Sequence, residues 1–209
     1  MTIKFQDHLS LNESYVNLPD FTYCDAERRM IMKRTVVICG DCGEKELTSE
    51  IVRACSENGG ALVCDGDRIY STCEEPSFLI FSVCTLSDLY IPDCIVVLGK
   101  ALLQIRDDID LSGNICIIDG ENSDSIRFAA AVKADVIGCS MSGHDSLTVS
   151  SFGEDGTAII TLRRSIDTSC CHIEPCEFRV KRKENNNIYP LLASCAVLML
   201  GGRLTENST

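Results

Sequence analysis

The run Thr35-Val36-Val37-Ile38-Cys39-Gly40-Asp41-Cys42-Gly43-Glu44-Lys45-Glu46-Leu47-Thr48 organises the whole chain. It begins as a β-branched apolar segment and passes two glycines within four residues. It then enters a polar, helix-compatible segment that ends in Ile51-Val52-Arg53-Ala54-Cys55. Strand, glycine turn, helix is the shape of a phosphate-binding loop. The glycines let backbone N–H groups turn toward an anion, and the helix N-terminus adds partial positive charge. The same loop carries Asp41, Glu44 and Glu46, where a phosphate site wants neutral or cationic groups.

Outward from this stretch the apolar runs repeat. Ala61-Leu62-Val63-Cys64, Phe78 to Cys84, Cys94 to Leu98, Asn114 to Ile118 and Asp135 to Cys139 each read as a strand. Glu44 to Asn58 reads as a helix stopped by Gly59-Gly60, and Ser123 to Lys133 as a second helix. Strands apolar on both faces and separated by helices indicate a parallel sheet covered on both sides. After Gly143 the rhythm changes. Ser146–Ser150 and Thr157–Leu162 flank Gly153-Glu154-Asp155-Gly156 as a hairpin, Glu177–Val180 adds an antiparallel strand, and residues 188–200 form an apolar helix ended by Gly201-Gly202. The fold class is therefore α/β: a three-layer, mostly parallel sheet with helices on both faces, plus a small antiparallel β subdomain. Residues 1–33 lack periodicity and are expected to be an arm that packs on the domain or on a partner. Residues 34–202 form the domain, and 203–209 a disordered tail.

Composition narrows the function. The 209 residues are 45% hydrophobic, enough for a core, but aromatics are sparse and Trp is absent. Net charge is −12, from 19 basic and 31 acidic residues, which argues against nucleic acid or an anionic membrane surface as the partner. The local exception, Arg179-Val180-Lys181-Arg182-Lys183, reads as a solvated strand end. The N-terminus lacks the apolar stretch of a secretory signal, and the run Ile188–Leu200 falls short of the roughly twenty residues of a membrane span. The expected location is the cytoplasm.

The fourteen cysteines call for their own explanation. Cys39, Cys64, Cys84, Cys94, Cys116, Cys139 and Cys195 sit inside or at the ends of apolar runs and read as reduced, buried thiols. That usage suits a cell that sees little oxygen. Cys39-Gly40-Asp41-Cys42 also has the spacing of a zinc half-site or redox pair, and Cys170-Cys171-His172 with Cys176 could add ligands. His144 follows Ser140-Met141-Ser142-Gly143, so a Ser–His nucleophile is conceivable, but it lacks the strand–elbow–helix context such a pair needs. Arg163-Arg164 could meet an anion, or form a solvated or ion-paired strand edge.

Taken in order, the motifs between Thr35 and Gly202 resemble the central, ATP-binding domain of the Mur ligases, which add amino acids to peptidoglycan precursors. Gly40-Asp41-Cys42-Gly43-Glu44-Lys45 lies where that family has Gly-Thr-Asn-Gly-Lys-Thr. Pro92-Asp93 precedes a buried strand as the family's Pro-Asp does. Ile117-Ile118-Asp119-Gly120-Glu121-Asn122 is similar to its strand ending in Asn-x-Asp-Asp. Asn186-Asn187-Ile188-Tyr189-Pro190-Leu191-Leu192-Ala193-Ser194 resembles its His-Asn-x-x-Asn-x-x-Ala-Ala at a helix start. The resemblance implies ATP or another nucleotide, with magnesium, held by Gly40, Gly43, Lys45, Thr48 and Asn187.

The departures are chemical. The family's loop lysine falls at Glu44 and its metal-side Thr or Ser at Lys45. The carboxylate expected after the third strand falls near Phe81, and no His lies in Leu102–Asp107. One like-charge contact at roughly 4 Å and an effective dielectric of about 20 costs on the order of 4 kcal/mol. A degenerate phosphate loop in a non-catalytic nucleotide-binding, partner or scaffold protein is the leading expectation, with a protein partner or homo-oligomer and no catalytic residue. One alternative is a subunit of an ATP-dependent ligase completed by a partner chain, with Asp107, Asp108 and Asp110 as magnesium ligands. The other is a thiol-based metal or redox protein using Cys39 and Cys42.

Overall fold

The computed structural model describes residues 2–5, 14–17, 33–40, 45–84, 93–100, 109–168, 172–182 and 187–204. Met1–Ile31 form one compact unit and Met32–Thr209 another. In the first unit β1 (Thr2–Phe5) pairs antiparallel with β2 (Ser14–Asn17).

The second unit runs β3 (Arg34–Cys39), α1 (Lys45–Glu57), β4 (Ala61–Asp65), β5 (Arg68–Ser71), β6 (Phe78–Val83), β7 (Ile95–Leu98), β8 (Ile115–Asp119), α2 (Ser123–Ala131), β9 (Asp135–Ser140), β10 (Leu147–Phe152), β11 (Thr157–Leu162), β12 (Ile166–Asp167), β13 (His172–Ile173), β14 (Cys176–Lys181) and α3 (Ile188–Leu200). Ten strands form one sheet in the order β14-β11-β10-β9-β8-β7-β3-β6-β4-β5. Neighbours from β4 to β10 are parallel; β5 closes one edge antiparallel, and β11 and β14 close the other. The expected α/β fold is present, with the antiparallel strands continuing the parallel sheet. The pair β12–β13 stands as a separate two-stranded sheet.

Strand alternation explains the three layers. In β3, Val36 and Ile38 join the core under α1 and α3, while Val37 and Cys39 join the core under α2. Successive strand residues point to opposite faces, so a strand buried on both must be apolar throughout. Beyond β8 the apolar burial lies on the α3 side. Ala158, Ile160, Leu162 and Phe178 are buried there, while Glu177, Arg179 and Lys181 on the other face of β14 are exposed. Helix α1 stops at Gly59 and Gly60, whose φ of 126° and 79° lie in the region glycine favours, and the Gly60 N–H returns to the Cys55 carbonyl at 3.0 Å. Asn122 caps α2, its side-chain oxygen accepting from the backbone of Asp124 and Ser125.

Two features depart from the sequence expectation. The short strand β5 returns antiparallel on β4 through a turn at Gly66 (φ 58°), and all four of its residues are exposed. It carries no burial pattern for a periodicity argument to find. At the other end Arg203 donates to the Ser77 hydroxyl at 2.7 Å and Leu204 packs on the core; residues 205–209 lie outside the described ones.

Helix α3 is buried from Tyr189 to Leu200. Its first turn is fixed to the sheet by the Tyr189 hydroxyl, which reaches the carbonyl of Leu98 and, at 3.3 Å, that of Ile117. Removing that hydroxyl strands buried carbonyls, which costs about 1–3 kcal/mol. Tyr189→Phe is expected to lose that much stability in urea unfolding without a change in m-value.

Candidate functional site

Ligands of open parallel sheets bind at the carboxyl ends of the strands, where adjacent strands send their connections in opposite directions. Here that point lies between β3 and β7. From β3 the chain crosses through α1 to β4, whereas from β7 it moves the other way to β8. Two glycines mark the spot. Gly40 donates its N–H to Val83 at 3.2 Å, and Gly99 donates to Cys39 at 2.6 Å.

Two helices begin there. Glu46, in the first turn of α1, accepts a hydrogen bond from the Asn187 N–H at 3.1 Å, across 141 residues of sequence. Asn187 is the N-cap of α3, and its side-chain oxygen accepts from Tyr189. A carboxylate at a helix N-terminus is favourable, and Glu46 serves the starts of both helices. The structure thus gives Asn187, one of the expected nucleotide residues, a capping role at the start of α3.

A groove of about 710 Å³ opens beside Gly40, between α1 and the β4–β5 hairpin. Lys45 and Thr48 line it from α1, and Arg68 and Tyr70 from β5. Arg53 also borders it, but its guanidinium is held by Glu50 through both oxygens and by Glu57 at 2.6 Å. These carboxylates, Glu50 foremost, hold Arg53 firmly protonated against the opposing effect of burial. Lys45 and Arg68 are left as the cations that can turn toward a ligand. Asp65 and Asp67 stand on the opposite rim, so the groove is of mixed charge. Of the expected nucleotide residues, Gly40, Lys45 and Thr48 are brought together; Gly43 lies outside the described residues. Tyr70 and Arg68 were missed because β5 was missed, although the Asp-Gly-Asp turn signal precedes them.

The thiol reading meets an unfavourable environment at Cys39. Its side chain is buried with Cys94 and Cys116 in the core under α2, and burial pushes its pKa far above the ordinary thiol range. A ligand or redox thiol needs the opposite environment. Cys42 lies outside the described residues, and among those described no group of His, Cys, Asp and Glu is arranged to hold a metal ion. Cys116, Cys94 and Cys195 are core thiols as expected, each pushed up to about 12 by burial. Cys84 is corrected: it is exposed, lines the groove and is disulfide-bonded.

The remaining candidates are structural. Ser140 bonds to the Asp145 carboxylate and not to His144, which is exposed. That carboxylate lies against Gly120 and Gly138, where a side chain would displace it. Arg163 and Arg164 donate to the carbonyls of Gly143 and His144 at 2.8 and 2.6 Å, so they pin this loop. His172 bridges Asp167 and Glu174 at 2.5 and 2.8 Å; Cys170 and Cys171 lie outside the described residues. Asp110 bonds to Ser112 and pairs with Lys133 at 3.6 Å, while Asp107 and Asp108 lie outside the described residues.

Comparison with known proteins agrees with the architecture. No protein-family model matches the sequence, and no curated protein does. Among solved structures, a UDP-N-acetylmuramoyl-L-alanyl-D-glutamate–2,6-diaminopimelate ligase aligns with a TM-score of 0.50 at 9% identity, over 82% of this chain and 44% of that one. MurF from Acinetobacter baumannii aligns at 0.48 and 10% identity, over 81% and 43% of the two chains. The UDP-N-acetylmuramate:L-alanyl-gamma-D-glutamyl-meso-diaminopimelate ligase from Neisseria meningitides aligns at 0.49 and 9% identity, over 84% and 64%. The fold is Mur-ligase-like, and the chain spans less than half the length of the first two structures. Among the described residues no helix is long and apolar enough to cross a membrane.

Two outcomes follow from the site's chemistry. In native protein Cys39 is expected to resist iodoacetamide while exposed Cys73 is alkylated, as peptide mapping would show. The His172 pKa is raised, first by its bond to Asp167 and then by Glu174. The protonated form is therefore the one the fold favours, and its contribution is present at low pH and lost as pH rises through the folded pKa. NMR titration is expected to place the His172 midpoint above about 6.5, and Asp167→Asn to lower it.

Proposed function

We propose that this chain is a Mur-ligase-like domain that binds a nucleotide without performing the ligase reaction, acting in the cytoplasm on or beside cell-wall precursor metabolism. The observation that carries this reading is the groove at the carboxyl end of β3, with Gly40, Lys45 and Thr48 on one wall and Arg68 and Tyr70 on the other. Lys45 and Arg68 offer charge to phosphates, and Tyr70 offers a face for a base or sugar. The non-catalytic part rests on Phe81. It stands where the resemblance calls for a magnesium carboxylate, and it is buried at 5% exposure with no oxygen to offer. Glu46 adds to this, because its carboxylate already serves the two helix starts where phosphate charge would gather.

Cell-wall precursors enter because the first solved structure similar to this chain is a ligase of UDP-N-acetylmuramoyl peptides. The nucleotide is accordingly ATP, ADP or a UDP-sugar. Phosphoryl transfer needs positioned cations around the reacting phosphate, whereas holding a diphosphate needs only a cationic wall.

Calorimetric titration with ADP, ATP and UDP-N-acetylglucosamine tests the reading. At least one is expected to bind at micromolar to millimolar Kd, within about twofold with or without magnesium. Lys45→Ala is expected to weaken binding about 5–10-fold, the loss of one charge-assisted contact worth about 1–1.4 kcal/mol. Magnesium-dependent ATP turnover by the chain, or no binding of all three at millimolar concentration, would overturn it.

A further inference from the structure

The ten-stranded sheet ends in β5 and β14, and among the described residues nothing pairs with the outer edge of either. An open edge with apolar side chains templates another strand unless charge, proline or a bulge blunts it. The two edges differ in this respect. β14 presents Glu177, Arg179 and Lys181, all exposed. β5 presents Ile69 at 66% exposure and Tyr70 at 46%. Around it stand the exposed carboxylates of Asp65, Asp67, Glu74 and Glu75, with Arg68 the lone cation among residues 65–75.

Charge selects the occupant. Two β5 edges laid together would set four carboxylates of one chain beside four of the other, in molecules that each carry −12. A β14 edge, with Arg179 and Lys181 against the single carboxylate of Glu177, is net positive and meets that acidic surround without the repulsion. Direction agrees. β5 runs against β4, whereas β14 runs against β11, which itself runs against β10. With β4 and β10 in the same parallel set, a second copy in the same orientation offers its β14 antiparallel to β5. The faces agree as well. Tyr70 lies opposite buried Val63 on the α1 side, so Ile69 projects from the other face. Arg179 and Lys181 project from that same face, because Phe178 and Val180 fill the α3 side.

We propose that β5 is a docking edge for β14 of a second copy of this chain, so that two sheets become continuous. The contact is head-to-tail, uses a different edge on each molecule, and can therefore repeat beyond a dimer. β5 offers four residues, so the interface is small and the association depends on concentration. Opposed surface charges make it weaken with salt.

Sedimentation velocity of the full chain from about 10 to 500 µM tests this. The weight-average mass is expected to rise with concentration at about 50 mM salt and to fall back at about 500 mM. Ile69→Lys blocks the β5 edge, and Arg179→Glu with Lys181→Glu blocks the β14 edge. Each variant is expected to stay monomeric alone, and an equimolar mixture to form a dimer and nothing larger, since one open edge remains on each. All three positions are exposed, and circular dichroism melts check that the variants fold. Wild type that stays monomeric at low salt overturns the proposal. So does self-association of the Arg179→Glu, Lys181→Glu variant, which would indicate pairing of β5 with β5. Ile69 is outside the groove, so nucleotide affinity of Ile69→Lys is expected to match wild type whichever way the association test falls.

Discussion

A helix without a polar face has to be surrounded, and α3 is such a helix. Its residues from Tyr189 to Leu200 are all buried. A surface helix shows an apolar stripe and a polar face; one apolar all round must be covered on every side. The rest of the second unit meets that demand. The sheet from β8 to β10 lies against it, α1 packs alongside, and Ile166, Ile173 and Cys176 fill in from the β12–β14 region. The apolar faces of β11 and β14 are spent on the same core; on the other side β14 is charged and β11 carries Thr157, Ile159 and Thr161.

The position of α3 also decides the chemistry at the carboxyl end of the sheet. Covering α3 brings its first turn beside that of α1, at the point where the strand order reverses. Two helix N-termini then lie close together, which is favourable ground for an anion. In this chain an internal carboxylate, Glu46, reaches from one helix to the other. The remaining cationic surface is displaced sideways, toward Lys45 and Arg68 in the groove against the β4–β5 hairpin. Gly40 thus borders an open, mixed-charge groove, and the Glu46–Asn187 bond joins the starts of the two helices.

Much of the fold was legible because burial on both faces leaves a plain signature. Val36–Cys39, Ile95–Leu98 and Ile115–Ile118 have no polar alternative to a covered parallel strand. The α3 boundaries, 188 and 200, were also clear, because an unbroken apolar run ends at paired glycines. β5 was not legible: Arg68-Ile69-Tyr70-Ser71 is exposed on both faces, so neither period marks it. The site was half legible. Gly40, Lys45 and Thr48 are local in sequence and were found together. The Glu46–Asn187 bond joins residues 141 apart, and a motif match at Asn187 cannot tell a cap from a ligand contact. Cys39 shows the same limit, since C-x-x-C spacing says nothing about which sheet face a thiol enters.

The pairing of α1 with α3 has a consequence in time. Strands β3, β6 and β4 leave the ribosome early, yet the helix that covers β8 to β10 and flanks α1 is the last of the described elements to be made. Until residue 200 has emerged, that side of the sheet is covered by α1 but lacks its lid over β8 to β10. Contacts of such long sequence separation close slowly, because the loop entropy must be overcome before they form. A nascent chain of this protein therefore passes through a stage in which the apolar face of β8 to β10 is still uncovered.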